Sequence, residues 1–253
     1  MEMFATSLAL RHQSDLFDEI MQSGLNDDPL WGEICTAWMR NESASVGGDE
    51  YGVRVFECFR LRQTEDQTGP QIALFQARLG RSMESRGFPN PFAYAVAGVL
   101  AEMTDNVIQH SGRTAEGFTG LAGYYTEDNH VAFAVTDLGR GILARLQDVH
   151  EWKHLKSARE ALRAVVTQGA SSRHGQGSGE GFKQLFQSLS DRNAIIRIRT
   201  GDRSLTIADG KNEREGGELG SPVLAGVQVA VSCTLKQRAE EMVMKFPLRR
   251  SLR

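Results

Sequence analysis

From position 92 to position 107 the apolar residues Phe92, Val96, Val99, Leu100, Met103 and Val107 recur at intervals of three and four, with one adjacent pair. That spacing predicts a helix with a single buried face. Asn90 can cap its start, Pro91 suits its first turn, and Ser111-Gly112 ends it. The same reasoning predicts helices over 7–23 and 28–40, divided by the breaker GLNDDP, another over 71–86, and one over 179–190. Strands are predicted where β-branched and aromatic residues gather. YGVRVFECFRLR reads as one, GFTGLAGYYT and HVAFAVTD flank the turn EDN as a hairpin, and AIIRIRT and SLTIAD flank GDR as a second. A last strand covers 227–235, while NESASVGGDE, QTEDQTGP and KNEREGGELGSP read as polar connections. Helices lie before and between strands that cluster late. This order predicts an α/β two-layer sandwich, a mixed, mostly antiparallel sheet with helices on one face.

Composition narrows the partners. A formal net charge of −3 over 253 residues gives no electrostatic basis for nucleic acid or anionic membrane as the main partner. The basic stretch KFPLRRSLR, within 241–253, reads as a solvated tail. Cys35, Cys58 and Cys233 are widely spaced, without a CxxC pair, which fits a reducing cytoplasm. Neither a secretory leader nor an apolar run of membrane-spanning length is visible, so the expectation is a soluble cytoplasmic protein. The predicted organisation is an extension with helices and one strand over 1–68, a main domain over 69–240, and the tail.

Three polar positions of this helix form a stripe. Glu102, Asn106 and His110 stand four residues apart and share one side. An amide oxygen at Asn106 can ligate a hard cation such as Mg²⁺, Glu102 supplies a carboxylate beside it, and His110 can reach a phosphate. Asp137 ends a strand and opens Asp137-Leu138-Gly139-Arg140-Gly141-Ile142, a turn with little side-chain bulk. A carboxylate there can accept a hydrogen bond from an exocyclic amine. Gly175, Gly177, Gly179 and Gly181 then alternate before a helix, after the basic Arg173 and His174, and such a segment can turn backbone N–H groups toward an anion. Each feature alone also reads as structure: a surface pair, a turn, a linker. Their order changes the weight.

ExxxNxxxHS on a helix, DxGxGI after a strand and GxGxGF entering a helix resemble the three boxes of the GHKL ATPases. That superfamily contains the ATPase domains of DNA gyrase, heat-shock chaperones, mismatch-repair proteins and histidine kinases, and the anti-sigma-factor serine kinases. The resemblance runs over roughly 71–235 and implies the histidine-kinase-like ATPase fold with Mg-ATP as ligand. It implies that Asn106 holds Mg²⁺, that Asp137 takes the adenine amine, and that Gly139 and Gly141 shape the base pocket. It further implies that His110, Arg173, Gly177, Gly179 and Gly181 approach the phosphates, that Glu102 is the catalytic base, and that Thr234 lies on the pocket floor. Residues 143–176 become a nucleotide clamp, expected to be loosely packed without ligand.

The departures shape the functional expectation. His12 is followed by Gln13-Ser14-Asp15, so the phosphoacceptor signature of histidine kinases is missing, and Phe182 replaces the usual leucine after the third box. No large second domain of the gyrase type is expected from the sequence. The expected activity is slow phosphoryl transfer or ATP hydrolysis in signalling, with a protein partner or phosphoacceptor in trans and a homodimer left open. The alternative is a non-catalytic, ATP-dependent interaction switch. A remote rival is a zinc peptidase, because His150-Glu151-Trp152-Lys153-His154 spells HExxH, which on a helix sets two imidazoles on one face.

Overall fold

The structure is a computed structural model that describes residues 44–47, 55–62, 65–110, 118–127, 129–137, 139–171, 189, 194–208, 212–216 and 224–235. Along the chain these form β1 (Ala44–Gly47), β2 (Val55–Arg62), α1 (Glu65–Ser85), α2 (Asn90–His110), β3 (Phe118–Glu127) and β4 (His130–Asp137). Then follow α3 (Gly141–Leu146), a 3₁₀ turn (His150–Trp152), α4 (Ala158–Gln168), β5 (Ala194–Gly201), β6 (Arg203–Ala208), β7 (Asn212–Gly216) and β8 (Leu224–Thr234). The strands make one sheet in the order β1-β2-β3-β4-β8-β5-β6-β7. Every neighbouring pair is antiparallel, so the sheet is not mixed among the described strands.

Alternation along the strands builds the core. Phe133 of β4, Val231 of β8 and Ile196 of β5 lie in register, as do Val135, Val229 and Ile198 in the next row, and all six belong to one buried cluster. One face of the sheet therefore carries a continuous apolar layer. Helix α1 packs on β2 and β3, α2 on β2, β3 and β4, α3 on β5 and β8, and α4 on β5 and β6. Phe92, Val96, Val99, Leu100, Met103 and Val107, the expected apolar stripe of α2, are all buried. The two expected hairpins form as β3–β4 and β5–β6. Asn129 turns the first at φ 61°, a backbone region that asparagine tolerates better than most side chains. Among the described residues, no helix is long and apolar enough to cross a membrane.

The structure departs from the sequence expectations at four places. β2 pairs with β3 along its length and β1 pairs with β2, so the span expected as an extension over 1–68 supplies two strands of the main sheet. Tertiary pairing recruits Ala44–Gly47, which sequence alone reads as linker. Pro70, expected to precede a helix, lies inside α1, which begins at Glu65. Asn212–Gly216, expected as loop, pairs with β6 at the sheet edge, where charged residues are common in strands. The predicted helices over 7–23, 28–40 and 179–190 lie outside the described residues apart from Leu189.

The expected clamp is also corrected over its described part. Leu146, Leu155, Ala161, Leu162, Ala164, Val165 and Ala170 are buried in the main core cluster. Both ends of α4 are closed. The Glu160 amide donates to Ser157 Oγ at 3.2 Å, the Lys156 amide donates to Glu160 Oε2 at 2.6 Å, and Gly169 stops the helix at φ 66°. A segment anchored by this many apolar side chains belongs to the stable body of the fold.

Candidate functional site

Strand order draws distant residues to one end of the sheet. β4 runs out at Asp137, and its neighbour β8 begins beside it because the pair is antiparallel. β5 is antiparallel to β8 and so ends there too, at Thr200 and Gly201. The β5–β8 register breaks at this point, where Thr200 faces Val227 and Gly201 faces Leu224. Extra residues in β8 make a bulge, with Gly226 at φ 74°.

The bulge aims a backbone donor at Asp137. The Val227 amide donates to Asp137 Oδ2 at 3.1 Å, and the Gly139 amide donates to Oδ1 at 2.7 Å. A carboxylate offers roughly four acceptor positions, so each oxygen retains capacity for another donor. Glycine is required on two sides. A Cβ on Gly226 would lie 2.1 Å from the Asp137 carbonyl oxygen, and one on Gly141, at φ 78°, would lie 2.8 Å from Thr200 Oγ1. Gly139, through its amide, and Gly141, through its backbone angle, lie in the turn after β4. Arg140 of the same turn pairs with Asp148 across the end of α3, which holds the exposed Asp148 carboxyl below its ordinary range.

Helix α2 reaches the same end. Gly120 of β3 faces Asp137 of β4, and a Cβ at Gly120 would lie 2.5 Å from Val107 Cγ1 and 3.2 Å from Asp137 Cα. The helical turn holding Val107 is therefore pressed against the strand end that carries Asp137. Asn106 is the adjacent residue and Glu102 lies one turn earlier; both are half-buried. Three expected site elements, Glu102 with Asn106, Asp137, and the Gly139–Gly141 turn, share one end of the fold. The side chain of His110 and all of Arg173, Gly177, Gly179 and Gly181 lie outside the described residues.

Thr234 is not part of this group. It pairs with His130 at the opposite end of β4 and is exposed. Seven strand steps separate that end from Asp137, roughly 23 Å at about 3.3 Å per residue. The threonine that does lie by Asp137 is Thr200 of β5, buried, with its hydroxyl accepting from the Ile142 amide at 3.1 Å and donating to the Gly226 carbonyl at 3.0 Å. Periodicity marks Thr200 only as the end of a strand. Its role depends on the register of β5 against β8, which local sequence does not encode.

HExxH does not make a metal site of the expected kind. His150–Trp152 is a 3₁₀ turn and His154 lies beyond it, with Nδ1 2.9 Å from the Glu151 carbonyl oxygen. The two imidazoles are not one α-helical turn apart on a common face, and Trp152 packs against the core. Among the described residues no three His, Cys, Asp or Glu side chains gather to hold a metal.

Burial raises the Asp137 carboxyl to about 6 from its ordinary 3.8, against the lowering effects of the Gly139 and Val227 amides and of Arg145 on α3. The folded state therefore favours the protonated form. This stabilisation is complete below pH 4 and is lost as the pH rises through 6, about 3 kcal/mol in all. A side-chain amide at this position cannot ionise, so Asp137→Asn should gain up to that amount relative to wild type between pH 4 and pH 7 in urea unfolding. A stability difference that stays flat across this range contradicts the burial of the carboxyl.

No protein-family model matches the sequence, and no curated protein matches it.

Proposed function

We propose that this chain is a histidine-kinase-like protein of the GHKL type that binds Mg-ATP at the Asp137 end of the sheet and acts as a slow kinase or ATPase. The observation that carries the reading is the approach of α2 to β4 through Gly120, which brings the Asn106 turn alongside the Asp137 turn. These are the first two of the three ordered motifs, and in this reading the nucleotide lies with its base at the Asp137 turn and its phosphates toward the Asn106 turn. In this reading Asp137 accepts the exocyclic amine of adenine, and the glycine turn keeps side chains out of the plane of the base. Asn106 contributes an amide oxygen to Mg²⁺, which ordinarily retains several waters. Glu102 takes a proton from the attacking water or acceptor hydroxyl, while catalysis otherwise proceeds by positioning and charge neutralisation.

The test is calorimetric. Asn106→Ala should weaken Mg-ATP binding at least about tenfold, the lower range for loss of a metal-supporting contact, and leave adenosine binding nearly unchanged. Adenosine lacks phosphates and metal, so it reads the Asp137 wall alone. Intact Mg-ATP affinity in the variant removes Asn106 from the metal wall. Failure of wild type to bind either compound removes the nucleotide reading altogether.

A further inference from the structure

Asp137 is held by two peptide groups, and one of them is controlled from its far side. The amide that donates to Asp137 Oδ2 belongs to Val227. The carbonyl of that same peptide unit is Gly226 C=O, which accepts from the Thr200 hydroxyl. In a trans peptide the C=O and N–H point in opposite directions from one rigid plane. Holding the oxygen on the Thr200 side therefore turns the N–H toward Asp137. The same hydroxyl accepts from Ile142, the second residue of α3, three positions after the Gly139 amide that holds Oδ1. Gly141 alone permits this approach, since a Cβ there would meet Thr200 Oγ1.

We propose that Thr200 is a positioning residue of the candidate nucleotide site, acting through the Gly226–Val227 peptide plane and the start of α3 to set the two backbone donors that hold Asp137. The importance of this for ATP rests on the reading of Asp137 as the adenine acceptor; the positioning itself does not. Among the described residues, Gly120 of β3, Val107 of α2, and Gly226 and Val227 of β8 border the Asp137 strand end, and none of these four is titratable. The charged group acting on it among the described residues is Arg145 of α3.

Thr200→Val keeps the shape and removes both hydrogen bonds. The peptide plane then loses its restraint, the Val227 donor weakens, and the Asp137 carboxylate becomes harder to form. The carboxyl carbon of Asp137, followed by NMR in the ligand-free protein and assigned with Asp137→Asn, should titrate roughly one pH unit higher in Thr200→Val. Thr200→Ser restores the hydroxyl and should restore the wild-type midpoint. A side chain that merely filled space would leave that midpoint unmoved in the valine variant.

Wild type supplies a second readout that needs no folded variant. The Val227 amide proton and the Thr200 hydroxyl proton should titrate with the Asp137 midpoint, because one peptide plane joins them. Mg-ATP affinity measured from pH 5 to pH 8 should rise through the same midpoint and move with it in Thr200→Val. An unchanged Asp137 midpoint in that variant, or wild-type Val227 and Thr200 signals blind to the titration, overturns the positioning role whether or not ATP binds. A shifted midpoint in a protein whose wild type does not bind Mg-ATP supports the positioning role and overturns the nucleotide reading instead.

Discussion

Replacing Gly226 by alanine should lower the unfolding free energy by about 3 kcal/mol or more. Two costs combine. At φ 74° an L side chain is strained, a backbone cost of roughly 1–3 kcal/mol. The added methyl would also stand 2.1 Å from the Asp137 carbonyl oxygen and 2.5 Å from its Oδ1, inside atoms that the sheet holds on both sides. Overpacking of that kind typically costs a further 1–3 kcal/mol. Gly98, exposed in α2 with nothing within 4 Å of its would-be Cβ, is the matched control. There alanine should be neutral or stabilising by up to about 1 kcal/mol, since it favours the helix. The urea unfolding midpoint should fall for Gly226→Ala and hold or rise for Gly98→Ala. Equal midpoints would mean that β8 does not bulge against Asp137.

Glu102→Gln addresses chemistry rather than stability. The glutamine preserves length and shape but cannot accept a proton, so Mg-ATP should bind with near wild-type affinity while turnover falls by about 10² to 10⁴. Single-turnover measurement of γ-phosphate release, with wild type and variant at saturating Mg-ATP, separates the two quantities. A wild type that binds Mg-ATP and shows no turnover, alone or with candidate acceptor proteins added, favours the interaction switch over the enzyme. The packing of the described part of 143–176 bears on that alternative, since ordering by ATP would have to act elsewhere in the chain.

The elements most legible in the sequence were those whose signals are local. The apolar stripe of α2 follows from a helical period, and the β3–β4 turn from residues that tolerate its backbone. The Asp137 turn is readable for the same reason, because a carboxylate followed by alternating glycines constrains its own geometry. Pairing partners were not readable. β1 and β7 carry linker-like sequences and become strands because a sheet edge recruits them. The resemblance points to Thr234, a threonine in the last strand, and only the antiparallel register of β4 with β8 sets it at the end away from Asp137. Thr200 and Val227 act on Asp137 through a bulge whose existence depends on three strands at once. The packed state of α3 and α4 was hidden by polar residues facing outward, which masked the apolar face that α4 buries.

The seat of β8 between β4 and β5 has a consequence for synthesis. Asp137 and Val227, which meet at the site, are 90 residues apart along the chain. At 5–20 residues per second a ribosome needs roughly 5–20 s to make the second after the first. During that interval β4 and the β5–β6 hairpin can both exist with an unfilled edge, each offering a row of backbone donors and acceptors to any passing strand. Nascent chains halted before residue 224 should therefore be captured by chaperones or aggregate, whereas chains halted after β8 has cleared the exit tunnel should not. The same insertion that assembles the Asp137 turn joins the two halves of the sheet, so the candidate site forms in the step that covers both of these edges.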